Sequence, residues 1–137
     1  MSTVRPIALI NAVIFFAGWM TILWAGADHP PPPRFLALVP LVLLAAGLVY
    51  WRLPVYLRWM ETGGAGRLLN VAGEGILAGA LFAALGILLS RILGGGEPGV
   101  QPSAADAIVW FVVLAAVGAG NALLIYLINL LLRSREW

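Results

Sequence analysis

Glu74 is the one charged side chain set well inside an apolar run, the stretch from Leu68 to Leu89. A carboxylate in hydrocarbon is costly, so it is paired, protonated or put to use, and proton or cation binding is the chemistry it suggests first. Arg67, Asn70 and Glu74 recur at intervals of three and four residues. On a helix they form one polar stripe, with Glu74 about 10 Å along the axis from Arg67 and Asn70 within hydrogen-bonding reach of it. Asn11 follows Arg5, while Tyr126 and Asn129 precede Arg133, at comparable depth from the nearest arginine. Depth alone therefore groups Asn11, Asn70, Glu74, Tyr126 and Asn129 into a candidate polar site opening toward Arg67. The plainer role for the same residues is hydrogen bonding between helices, which fixes how they pair.

Other chemistries lack their parts. There is no cysteine, which removes disulfides, thiolate metal sites, redox pairs and cysteine nucleophiles together. The single histidine, His29, stands beside Asp28 among prolines with no second ligand of its kind, so no metal is expected. Ser2, Ser90, Ser103 and Ser134 have no histidine nearby with which to build a nucleophile and base pair, so hydrolysis is not expected. The Gly94 to Gly99 stretch lacks the Lys and Ser/Thr of a phosphate loop and reads as a linker. We expect no enzyme activity and no cofactor.

The elements that must carry these residues are membrane spans. Of the 137 residues, 62% are hydrophobic and 10% charged, against about 25% charged in soluble domains. Four runs approach or exceed the roughly 20 helical residues needed to cross a ~30 Å hydrocarbon core: 7–25, 35–51, 68–89 and 107–132. The connections leave no room for a soluble domain, so residues 1–137 read as a single integral membrane domain. In the third run Gly75, Gly79, Ala83 and Gly86 line one side, a small-residue seam of the kind that lets helix backbones approach closely in lipid. In the last run Gly118, Asn121, Ile125 and Asn129 share the face expected to turn inward.

The connections carry their own signals. Pro30 to Pro33 make a stiff turn after the first run, and Pro40 implies a late start or a kink in the second. Beyond Trp51, the sequence Arg52-Leu53-Pro54-Val55-Tyr56-Leu57-Arg58-Trp59 interleaves aromatics with arginines before the Gly63-Gly64-Ala65-Gly66 break. That pattern predicts a short interfacial helix, serving as an anchor or meeting an anionic headgroup. Ser103 and Asp106 are candidate caps for the last helix.

All eight basic residues are arginine, which with the abundance of Ala, Gly, Leu and Pro is associated with GC-rich bacterial genes. They sit at the ends of the runs, as membrane topology requires, and do not suggest nucleic-acid binding. If the first run leaves the cytoplasm, Arg5, Arg52, Arg58, Arg67, Arg133 and Arg135 stay inside and only Arg34 and Arg91 lie outside. Residues 1–27, ending Ala25-Gly26-Ala27, imitate a cleaved leader, but the apolar run is long for one and contains Asn11, Trp19 and Trp24.

Four spans and one membrane glutamate invite comparison with the small multidrug resistance transporters, but their glutamate lies in the first span, where this chain has Asn11, so the main reason for that match is missing and membership is not expected. The expected fold is an all-α antiparallel bundle of four transmembrane helices with a short interfacial helix after the second. The expected setting is the bacterial cytoplasmic membrane, multi-pass, with both termini cytoplasmic. The lipid bilayer and either a homo-oligomer or a larger membrane complex are the expected partners. The function expected is that of a non-enzymatic accessory or self-associating subunit; the alternative is a small oligomeric transporter or channel using Glu74. Because cysteine is absent, single cysteines report sidedness without background. In intact cells a membrane-impermeant maleimide labels Gln101→Cys and spares Ser134→Cys; the opposite pattern reverses the topology.

Overall fold

The computed structural model describes residues 4–31, 35–62, 66–93 and 103–134. It builds four helices: α1 Val4–Gly26, α2 Phe35–Thr62, α3 Gly66–Leu93 and α4 Ala104–Ser134. Each contains a stretch long and apolar enough to span a membrane: Val4–Gly26, Leu38–Glu61, Gly66–Leu89 and Ala104–Arg133. In lipid nothing else can satisfy backbone N–H and C=O groups within one segment, so uninterrupted apolar runs of this length become helices. Every helix extends past at least one end of the run that predicted it. Arg34, Arg135, Pro32, Pro33, most of the Gly63–Gly66 break and the glycine-rich 94–99 linker lie outside the described residues. The contacts divide the chain between Glu61 and Thr62, with α1 and α2 in one unit and α3 and α4 in the other.

In the first unit, α2 departs from expectation. It runs without a break from Phe35 to Thr62 with both Pro40 and Pro54 inside it, so there is neither a late start at Ala37 nor a separate interfacial helix after Trp51. A proline within a helix costs about 3 kcal/mol through its missing donor and its clash with the preceding turn. The residues flanking Pro54 explain why the helix continues: Leu53 is fully buried and Tyr56 is 7% exposed. Removing a Leu side chain from water is worth about 1.5–3 kcal/mol, and continuation of the helix puts both side chains on its packed side. Where α1 hands over to α2, Trp24 packs against His29 at 5.2 Å between ring centres. It also meets the edge of Phe35 at 5.6 Å. The His29–Pro30 peptide is cis.

In the second unit, the backbones of α3 and α4 touch. A Cβ added at Gly75 would run into the Gly118 carbonyl oxygen and lie 2.7 Å from the Ala119 Cα. One added at Gly79 would run into the Leu114 carbonyl oxygen and lie 2.9 Å from the Ala115 Cα. Gly118 is closed in the same way by the Gly75 carbonyl. As residue numbers rise along α3, those of their partners fall along α4. Val71 at 0% and Ala83 at 2% exposure extend the contact stripe to every fourth residue of α3, whereas a Cβ at Gly86 would meet nothing within 4 Å. Gly86 therefore belongs to the seam by spacing but not to this contact.

The start of α4 is capped reciprocally. The Ser103 Oγ accepts the Asp106 N–H at 3.2 Å, and an Asp106 carboxylate oxygen accepts from the Ser103 hydroxyl at 2.9 Å and from the Ser103 N–H at 3.2 Å. The Ser103 carbonyl then takes the first helical bond, from Ala107 at 2.9 Å. This is the capping-box arrangement with Asp in the acidic position, and the negative charge also suits the helix N-terminus.

Two glycines of one stripe should respond oppositely to the same change. Alanine is favoured over glycine inside a helix by about 1 kcal/mol, so Gly86→Ala raises the thermal midpoint of the detergent-solubilised protein. Gly79→Ala lowers it, because overpacking against backbone costs about 1–3 kcal/mol or more and a carbonyl cannot rotate away. Circular dichroism melts of both variants check this; equal shifts would show that the close crossing is absent.

Candidate functional site

The α3–α4 crossing sets where the polar residues stand. Glu74 immediately precedes Gly75, about 100° around the helix from the contact stripe, and is half-buried, as is Arg67, while Asn70 is exposed. On α4, Asn129 and Tyr126 are each 5% exposed and Asn121 is half-buried. Asn11, also half-buried, belongs to α1 in the other unit.

Pairing Gly75 with Gly118 and Gly79 with Leu114 places Glu74 level with Ala119 and Tyr126 level with Arg67. Tyr126 is then about 10 Å from Glu74 along the pair, and Asn129 farther still. Depth below the nearest arginine puts Tyr126 and Glu74 in one layer; the helix register does not. The reason is geometric, since where Arg133 falls on α4 says nothing of how far α4 extends past the start of α3. The polar groups form a ladder along the pair, with Tyr126 toward its Arg67 end and Glu74 beside the crossing.

The asparagines satisfy part of their hydrogen bonding locally. The Nδ2 of Asn11 donates to the Ile7 carbonyl at 2.9 Å, that of Asn121 to Val117 at 2.8 Å and that of Asn129 to Ile125 at 2.8 Å. Thr21 does the same through its hydroxyl, to Ala17 at 2.7 Å. Each donor is thereby matched one turn back on its own helix, which is how a polar side chain is tolerated at low cost in an apolar span.

No family model matches the sequence, no curated protein matches it, and no solved structure matches the fold.

A second constellation lies on α2 at its C-terminal end. The Arg52 Cζ stands 5.8 Å from the ring centre of Trp51 and 6.0 Å from that of Trp59. The Trp59 ring in turn stacks on Tyr56 at 5.7 Å. Arg52, Tyr56 and Trp59 follow an i, i+4, i+7 spacing, so an unbroken helix brings them to one side. A guanidinium over an indole is worth about 0.5–1 kcal/mol where water reaches it, and the contact holds the charge at a defined height. Reading this segment only as an interleaved belt misses that Arg52 is the arginine held between rings; the four- and seven-residue spacing was the available signal, and it requires the helix to pass through Pro54.

Proposed function

We propose that the chain is a non-enzymatic integral membrane protein of the bacterial cytoplasmic membrane, acting as a self-associating or accessory subunit of a larger membrane assembly. In this proposal the four spans cross in alternating directions as one membrane domain, with both termini in the cytoplasm. Large apolar side chains are exposed on all four helices, among them Ile14, Leu36, Leu69 and Ile108, which suits lipid or neighbouring spans and not water. The carrying observation concerns glycine. Gly75, Gly79 and Gly118 are already closed within the chain, so the seam itself is not available to another molecule. Gly73 and Gly120 remain open, with nothing within 4 Å of an added Cβ, and the α3–α4 register sets them level with each other. In a bilayer, where apolar burial alone does not drive helices together, such notches let a further helix come close. Extraction in several mild detergents should therefore recover the chain in particles larger than the monomer by light scattering, and Gly73→Leu with Gly120→Leu should shrink them while helicity is kept. Monodisperse monomer under all the mild conditions would exclude the subunit role.

A second reading keeps Glu74 as the acting group, in a small oligomeric transporter or channel. It is favoured by the position of the carboxylate, half-buried between the open Gly73 and the closed Gly75. Proteoliposomes test it: Glu74→Gln abolishes a proton or cation flux while the protein still folds, and an undiminished flux in that variant removes Glu74 from the pathway.

A further inference from the structure

One face of α2 carries an open groove of about 530 Å³ whose lining, among the described residues, is Pro40, Leu43, Leu44, Gly47, Leu48 and Trp51 of α2 itself. These residues recur every three or four positions, so they form a single strip along the helix. The strip points roughly opposite to the packed side of α2, marked by the buried Ala46 and Leu53. Its floor is low at Gly47, where an added Cβ would meet nothing within 4 Å. From Pro40 to Trp51 it extends about 16 Å, close to half of a ~30 Å hydrocarbon core. The groove is thus one leaflet long, apolar throughout and open along its length.

Its end is charged. Trp51 closes the groove and at the same time touches Arg52, whose guanidinium lies 5.8 Å from the Trp51 ring and 6.0 Å from the Trp59 ring. Arg58 is exposed and falls on the groove's own face, about 10 Å beyond Trp51. Helical side chains lean toward the N-terminus, so Arg58 leans back toward the groove mouth. Arg52 and Arg58 both lie beyond the Trp51 end of the channel, and a basic pair past the end of an apolar channel about one leaflet long matches a single molecule: an acyl chain in the channel and an anionic phosphate at its end.

We propose that this face of α2 binds one anionic glycerophospholipid, with an acyl chain along the Pro40–Trp51 groove and the phosphate between Arg52 and Arg58. A second copy of α2 docked symmetrically in parallel would set arginine against arginine, so charge favours lipid over self-association on this face. The proposal needs α2 to span the bilayer and is independent of the subunit reading, because bound lipid is counted per chain whatever the oligomeric state.

The test is native mass spectrometry of the full chain released from mixed micelles holding equal amounts of phosphatidylglycerol and phosphatidylcholine with the same acyl chains. The native chain should retain one phosphatidylglycerol with a preference on the order of tenfold, the scale of two arginines near a membrane surface. Arg58→Gln, at an exposed position that leaves folding intact, should cut the preference, and the double change with Arg52→Gln should bring it near unity. Gly47→Leu fills the channel and should lower retention of both lipids. Arg91→Gln, at the C-terminal end of α3, should leave the preference unchanged. Equal retention of the two lipids by the native chain would overturn the proposal, as would a preference that survives the double variant or a Gly47→Leu chain that holds lipid as well as before.

Discussion

Backbone meets backbone where Gly75 and Gly79 of α3 cross Gly118 of α4, and most of what can be said about the second unit depends on that contact. Apolar side chains gain little from one another in a bilayer, because lipid tails are equally apolar. Helices there are held by close van der Waals approach and by polar groups that need partners. Removing three Cβ atoms lets the axes come near enough for both. It also sets the register, since each glycine has one partner height at which it fits. Val71, Ala83, Ala122 and Tyr126 are buried as a consequence of that register. Glu74 is carried along with them, next to the contact but turned off it.

The first unit is organised differently. α1 buries little beyond Ala8 and Ala12, and the junction with α2 is aromatic, with Trp24 between His29 and Phe35. At the other end of α2, Leu53 and Tyr56 are buried while Trp51 is 69% exposed. This end of α2 therefore has an inward side that holds it through Pro54 and an outward side that presents Trp51 and Arg58, with the half-buried Arg52 on the flank between them. Packing on one side is what makes the chemistry on the other side well placed.

Polar residues are treated economically throughout. Asparagine amides and the Thr21 hydroxyl bond to carbonyls of their own helices, and Ser103 and Asp106 satisfy each other at the head of α4. A donor matched locally needs no neighbour, so these residues do not by themselves mark a pathway through the membrane. Glu74 differs in kind, since a carboxylate cannot give a proton back to its own helix without first being protonated.

The four spans were legible in the sequence, and for a strong physical reason: a long apolar run in lipid has helix as its only way to pair every backbone group. Ser103 as the cap of α4 was legible too, because a cap depends on residues close in sequence, whereas Asp106, read as an alternative cap, stands inside the first turn as the partner of Ser103. Two features were not. Whether α2 stops at Trp51 or runs through Pro54 turns on the burial of Leu53 and Tyr56, which a local rule about proline does not contain. Whether Tyr126 stands level with Glu74 turns on which glycine of α3 meets which residue of α4, and distance from the nearest arginine carries no record of how far one helix overshoots another. Composition and spacing alone thus determined that the chain has four helices long and apolar enough to span a membrane and which face of α3 holds a small-residue seam. Only the tertiary structure decided that Gly118 closes that seam within the chain, that Gly86 is left out of it, and how far the polar ladder of α4 is displaced from Glu74, because those depend on contacts between residues far apart in sequence.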